Sequence, residues 1–361
     1  MRPLRSGLEA FFRRRTSAAP EAAWLRPGCL LHQALARSIT EIPAAPVARR
    51  RPSMCHDGTP VVYSLKLHRG SVGAAPPGFR MLVEPGGVGI PVSRQIAFSL
   101  RVVQELIDQL AWQAAAGDLN EITELIFPAE AEIVDAWWGG VWLGASVGPP
   151  APELRLYLNL RHGDAPARWQ RLADVLGHFG GPSLTRVFGD WIAAVHPHGI
   201  PVGLGIVIAG GRLAALRAYA GLHQPSLDSL SAVLGPRRDA AGPALDDLCR
   251  GFAALGGFRP QSVTVGFDFI RDRSGVLRPE IARTKVDASC QLVEPSGRAA
   301  LAPWIRELLS GWGLDPRPLD LFEEDLRTCW GACETEFLSV GFRDGVDHAT
   351  VYSRPVLHAP D

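Results

Sequence analysis

The chain has 361 residues, 47% of them hydrophobic and 20% charged, enough for one large core or two ordinary domains. Its 37 basic residues balance 37 acidic ones, which argues against a nucleic-acid binder that relies on a broad basic field, so any cationic cluster must be local. No apolar run approaches the ~20 residues of a membrane span, and the arginine-rich start lacks the apolar centre of a secretory signal. The expectation is a soluble cytoplasmic protein, monomer or homodimer, with small-molecule partners, no nucleic acid and no membrane.

Residues 1–50 are rich in Ala, Pro and Arg and are expected to form an N-terminal extension packed on the outside. Arg2, Arg5, Arg13, Arg14 and Arg15 could mimic a transit peptide, but a solvated helix end is the simpler account. Residues 51–361 then form a single domain. Its first strand pair is predicted at 61–67 and 79–84, followed by helical periodicity over 93–115. The second pair, 138–147 and 153–160, is joined by Gly148-Pro-Pro-Ala-Pro152, which cannot be helix. Helices are predicted at 165–179 and 183–194. The third pair, 202–209 and 213–220, turns at Gly210-Gly211. Helices follow at 226–234 and 243–255. The fourth pair, 262–270 and 279–287, turns at Asp272-Arg-Ser-Gly275. Helices at 297–312 and 320–333 lead to the last pair, 336–342 and 348–353, with its turn at Asp344-Gly345. The whole is a ββαα unit used five times.

The chain has four tyrosines, and three close similar strands: Tyr157, Tyr219 and Tyr352. Arg155 and Arg217 stand two residues before the first two, and Lys285/Asp287 occupy the same positions in a further strand. The steps are 219 − 157 = 62, 287 − 219 = 68 and 352 − 287 = 65, a repeat that aims a basic group and a phenol at a shared centre. Strand neighbours point to opposite faces. Arg155, Tyr157 and Asn159 therefore share one face of their strand, and Leu154, Leu156, Leu158 and Leu160 the other. Ten antiparallel strands with helices against the apolar face and polar residues inward make a closed barrel with a partly polar lumen. The competing arrangement is a two-layer sandwich whose Arg/Tyr face is wet.

Arg80, Arg155, Arg217 and Lys285 converging in such a lumen would need an anionic partner, because unpaired burial is costly. Guanidinium forks suit phosphate oxygens, and tyrosines offer π-faces to a cation. Ionising an allylic diphosphate and shielding the carbocation uses both. An internal ion-pair network with Glu84, Glu280 or Asp287 would satisfy the same cations.

The strand-pair order and several stretches resemble aromatic prenyltransferases of the dimethylallyltryptophan synthase type, with the ABBA or PT-barrel fold. The stretches are Asp57-Gly-Thr-Pro-Val-Val-Tyr-Ser-Leu-Lys66, Phe79-Arg-Met-Leu-Val-Glu-Pro85, the Arg155/Tyr157 and Arg217/Tyr219 strands, Phe337-Leu-Ser-Val-Gly341 and Thr350-Val-Tyr-Ser-Arg-Pro355. The resemblance spans about residues 50–355. It implies that Arg80, Arg155, Arg217 and Lys285 grip the diphosphate and that Tyr157, Tyr219 and Tyr352 shield the allyl cation. Met54, Cys55 and His56 match the segment lining the aromatic-acceptor pocket. Family members usually carry lysine where Arg155 and Arg217 stand, and a shield tyrosine where Asp287 stands. They usually place a glutamate at the position of Val62, to take the indole N–H. Valine cannot accept a hydrogen bond, so His56, Glu84 or Glu280 does this work, or the acceptor is not an ordinary indole. The resemblance implies dimethylallyl diphosphate as co-substrate, no cofactor and no metal.

Other motifs have plainer readings. Gly203-Leu-Gly205 and Gly87-Val-Gly89 lack the third glycine of a dinucleotide loop. Asp246-Asp247 and Glu323-Glu324-Asp325 read as solvated helix faces. His196-Pro-His198 reads as a loop, and Trp137, Trp138 and Trp142 as core or lumen wall. Cys329 and Cys333 fall on the last predicted helix, and the six cysteines form no metal set. The expected function is metal-independent transfer of a dimethylallyl or longer prenyl group to an indole, phenol or indole-containing peptide. The alternatives are a non-catalytic barrel that binds an isoprenoid or anionic ligand, and a phosphate-ester hydrolase on a similar barrel.

Overall fold

Each of ten strands pairs with its sequence neighbours and the first pairs with the last, so the sheet closes into one antiparallel barrel. The strands are β1 (Val61–His68), β2 (Phe79–Val83), β3 (Val141–Val147), β4 (Glu153–Asn159), β5 (Gly199–Ala209), β6 (Arg212–Leu222), β7 (Val263–Ile270), β8 (Arg283–Ser289), β9 (Cys333–Phe342) and β10 (Val346–Pro355). The computed structural model describes residues 2–17, 25–40, 55, 59–69, 78–86, 90–137, 139–148, 151–235, 237–272, 274–278, 281–343 and 345–356. Closure is made by β1 on β10, with Ser64 opposite Tyr352 and Lys66 opposite Thr350. It removes the open edges that a sandwich would keep.

Two helices precede the barrel, α1 (Arg2–Thr16) and α2 (Leu25–Thr40). Their Leu8, Phe11, Leu31 and Leu35 are fully buried. The Phe11 ring lies 4.3 Å from that of Tyr63 and 5.4 Å from that of Phe79, on the outer face of β1 and β2. Burying such side chains stabilises by about 1.5–3 kcal/mol each. Tyr63 is thus the one tyrosine whose strand parity points away from the lumen.

Helices connect the hairpins, in varying number. Between β2 and β3 stand α3 (Val92–Leu110), α4 (Ala114–Ile126) and the short α5 (Ala131–Asp135). The predicted helix 93–115 stops early because Ala111 takes a left-handed conformation at φ 55°. Between β4 and β5 runs α6 (Ala165–Val195), which the non-helical Gly181 divides into the two helices predicted. Asp164 caps it by accepting from the Ala167 N–H at 2.9 Å, and Gly181 at φ 65° before Pro182 bends it. Then come α7 (Leu227–Leu234) and α8 (Arg237–Ala254), and last α9 (Pro295–Gly311) and α10 (Arg317–Trp330). Gly331, at φ 80°, ends α10, so Cys333 opens β9 and is not on a helix with Cys329. Trp138, Pro279, Glu280 and Asp344 lie outside the described residues, as do Gly87 to Gly89.

The predicted alternation is clear on β4. Leu154, Leu156 and Leu158 are buried against helices, while Arg155, Tyr157 and Asn159 are half-buried on the inner face. Apolar burial is accordingly split in two. The large core fills the space between barrel and helices. A small separate cluster of Cys55, Val62, Leu82 and Tyr352, with Tyr157 and Phe337 against it, sits inside the lumen.

Candidate active site

Residues directly opposite in an antiparallel ladder share a face, so the register shows who shares the lumen. Arg80 on β2 faces Ser64 on one side and Ser146 on the other. Arg217 on β6 stands between Gly205 and Asp268, and Tyr219 between Gly203 and Gly266. Lys285 on β8 lies between Gly266 and Gly341. The glycines make room. A Cβ at Gly266 would come within 3.1 Å of the Tyr219 ring, and so would one at Gly205 on its other side. Gly203-Leu-Gly205 is therefore a packing motif of the lumen wall.

Basic groups and phenols meet as the repeat predicts. Lys285 Nζ donates to the Tyr352 hydroxyl at 3.3 Å, and Arg80 Nη1 donates to the same oxygen at 3.4 Å. Arg80 Nε also donates to Ser146 Oγ at 3.1 Å. Arg217 Nη1 donates to the Tyr219 hydroxyl at 3.3 Å. Lys285 Nζ stands 5.4 Å from the Tyr352 ring centre and 5.8 Å from that of Tyr219, within cation–π reach of both. The Tyr157 and Tyr219 rings are 6.3 Å apart. The three phenols thus border one space with Arg80, Arg217 and Lys285 among them.

Three of the four expected diphosphate ligands already carry a carboxylate partner. Arg155 Nη2 donates to Glu153 Oε2 at 2.6 Å. Arg217 grips Asp268 with two prongs, Nη2 to Oδ2 at 2.6 Å and a second, shorter bond from Nε to Oδ1. Lys285 Nζ lies 2.8 Å from Asp287 Oδ1, close for opposite charges though poorly aligned for a hydrogen bond. Burial alone would raise the Asp268 carboxyl, but the Arg217 guanidinium holds it below the usual range. Burial likewise works against the Tyr157 phenolate, yet Arg80, Arg155, Lys285 and Arg217 together pull that phenol down. At Tyr219 burial wins and the phenol is pushed up to about 12. The Tyr157 hydroxyl is buried without a hydrogen-bond partner among the described residues.

The acceptor side is less complete. Cys55 and Val62 belong to the lumen cluster beside Tyr352 and Tyr157. Met54 and His56 lie outside the described residues, as does Glu280. Glu84, one inward step beyond Leu82, accepts from Gln95 Nε2 at 3.0 Å, and Gln95 Oε1 accepts from the Gly140 N–H at 2.8 Å. Asp287 faces Lys285 and is occupied as its counter-ion. The sequence reading left Asp268, Glu153, Ser146, Leu82, Phe337 and Lys66 unassigned. All of them lie on inward positions, Phe337 opposite Tyr352 among them, that period-two parity marks as readily as Arg217. Their type gave no reason to single them out.

The acidic runs are less solvated than expected. Glu323 is buried and bonded to Arg306 at 2.7 Å, and Asp325 bridges to Arg14 and Arg15 of α1. A cleft of about 620 Å³ opens between α9, α10 and the ends of β9 and β10, away from the lumen phenols. Its charges bridge internally, Arg354 to Glu334 at 2.5 Å and Arg327 to Glu323 at 3.7 Å. Among the described residues no three His, Cys, Asp or Glu side chains cluster as a metal site, and no helix is long and apolar enough to cross a membrane.

No protein-family model and no curated protein sequence matches the chain. Solved structures do. The 5-dimethylallyltryptophan synthase from Streptomyces coelicolor superposes with a TM-score of 0.74 over 98% of this chain and 97% of that one, at 17% identity. The chain has the prenyltransferase barrel fold. The same barrel is found in 6-dimethylallyltryptophan synthase from Micromonospora olivasterospora, in complex with DMASPP and Trp, at TM-score 0.68 and 15% identity over 96% and 95% of the two chains. It is found again in AnaPT from Neosartorya fischeri, at TM-score 0.66 and 12% identity over 96% and 91%. Identities this low show the barrel alone. What this barrel does rests on its own lumen.

Proposed function

We propose that this barrel is an aromatic prenyltransferase. It takes a dimethylallyl group from dimethylallyl diphosphate and alkylates an electron-rich aromatic acceptor, with tryptophan or an indole relative as the first choice. The observation that carries this reading is the meeting of Arg80 and Lys285 on the Tyr352 hydroxyl, beside the apolar cluster that holds Val62, Leu82 and Tyr157. A charged end and an apolar end of one cavity match the two ends of a prenyl diphosphate. The similar barrels from S. coelicolor and M. olivasterospora, described with DMASPP and Trp, support it.

The allylic C–O bond breaks heterolytically and its electron pair leaves with the diphosphate. Arg80, Arg155, Arg217 and Lys285 stabilise that developing charge, the role a divalent metal has in other prenyl transfers. The faces of Tyr157, Tyr219 and Tyr352 stabilise the allyl cation and exclude water from it. The aromatic carbon then attacks, and the ring proton passes to a base. With valine at position 62, which faces Leu82 two residues before Glu84, the Glu84 carboxylate is one acceptor for that proton and released diphosphate the other. Incubation with dimethylallyl diphosphate and tryptophan, indole peptides or phenols, with and without EDTA, tests the proposal by diphosphate release and product mass. A prenylated product in EDTA supports the donor, the metal independence and the acceptor class together.

The carboxylate pairing of Arg155, Arg217 and Lys285 favours a second reading, a barrel that holds an anionic isoprenoid without turnover. Donor binding without diphosphate release would favour that reading.

A further inference from the structure

The lumen holds more cations than the four that the repeat marks, and those that lack a counter-ion are gathered at one end. Lys66 is on the inner face of β1, in parity with Val62 and Ser64 and opposite Thr350. Arg283 is on the inner face of β8, opposite Asp268. Among the described residues neither makes an ion pair, and Arg80 meets only the hydroxyls of Ser146 and Tyr352. Arg155, Arg217 and Lys285 each have a carboxylate. Among the described residues, three of these six inward cations are thus paired with a carboxylate, and the other three, Lys66, Arg80 and Arg283, are not.

We propose that Lys66, with Arg80 and Arg283, forms the seat of the diphosphate, and that the three paired cations flank it. This rests on the prenyl-diphosphate reading of the lumen. Placing like charges together in a half-buried space costs free energy unless a multivalent anion occupies it, and a diphosphate supplies two or three negative charges. The groups around Lys66 are of one sign on most sides. Arg80 on β2, Arg155 on β4 and Arg283 on β8 repel it, and Asp347 at the rim on β10 attracts it. His68 on its own strand and His348 on β10 complete the setting, and burial with nearby cations, Lys66 first, holds His348 neutral. Burial first, then Arg80, Arg283 and Arg155, pushes the Lys66 ammonium down to about 7 in the empty barrel. A bound diphosphate reverses those repulsions, so donor binding takes up a proton at Lys66 and weakens as pH rises above neutrality.

Titration calorimetry of inorganic pyrophosphate into the full chain tests this, comparing wild type, Lys66→Met, Lys66→Arg and Arg80→Met. The arginine variant stays charged, so its ratio to wild type cancels the titration of pyrophosphate itself. The expected result at about pH 6 is equal affinity for wild type and Lys66→Arg and roughly tenfold weaker binding by Lys66→Met. At about pH 8.5 Lys66→Arg should bind about tenfold tighter than wild type. Melting curves show which variants fold, and the wild-type to arginine comparison stands if the methionine variant does not. Equal binding by wild type and Lys66→Met at both pH values, with loss in Arg80→Met, overturns the assignment of Lys66 and leaves the proposed function intact. Absence of pyrophosphate binding to wild type overturns both.

Discussion

Arg217 and Asp268 form a two-pronged ion pair inside the lumen, held in place by the register that sets β6 against β7. Both side chains are nearly out of solvent, about 12% and 11% exposed. Arg217→Ala therefore removes a proposed diphosphate ligand and strands a buried carboxylate, which costs about 3–5 kcal/mol. The double variant Arg217→Ala/Asp268→Ala should regain most of the lost melting temperature while donor affinity stays down about tenfold or more. Unchanged donor affinity in the folded double variant would remove Arg217 from the site.

Tyr352 couples two cations through one oxygen. Tyr352→Phe keeps the ring face but removes the acceptor for Lys285 and Arg80. The expected outcome is a folded protein with severalfold weaker donor binding and a smaller loss in chemistry. Tyr352→Ala, which also deletes the π-face, should lose about 10²-fold or more in turnover. Single-turnover kinetics separates the two effects. Equal turnover by Phe and Ala variants would rule out a shielding role for the ring.

Lys66 should act against stability. Its ammonium is pushed down to about 7 in the folded chain, against 10.5 as the ordinary value. Between those values the unfolded chain binds the extra proton, so this group makes wild type more stable as pH rises, and below about 7 its full penalty is present. Lys66→Met in the empty protein should thus melt several degrees higher at about pH 6, with the gain shrinking toward pH 10. A functional residue that is costly in the empty state is the usual trade at a site. A methionine variant that melts lower at both pH values would contradict this.

Val62→Glu places a carboxylate opposite Leu82, in the apolar cluster that also holds Tyr352. It should lower the melting temperature and, where an indole N–H partner limits the reaction, raise turnover of indole acceptors. Product analysis on tryptophan and indole peptides measures this. No gain on indoles, with the protein folded, would point to a phenolic or other acceptor.

Much of the barrel could be read from local pattern. The alternation of Leu154, Leu156 and Leu158 with Arg155, Tyr157 and Asn159 depends only on strand geometry, so it marked the inner face before any partner strand was known. Helix breaks were harder. Ala111 ends α3 in a left-handed turn that no glycine announces, whereas the break expected between 179 and 183 is present at the non-helical Gly181.

By itself, then, the sequence determined the inward parity of Arg155, Arg217, Lys285 and the three lumen tyrosines, because period two is a property of one strand. Tertiary structure alone decided their charge state and company. Asp268 reaches Arg217 from another strand 51 residues away, and barrel closure brings Lys66 of β1 toward Arg283 of β8. Those contacts are set by register and closure, which no single strand encodes, and the balance of charge in the lumen is set by them.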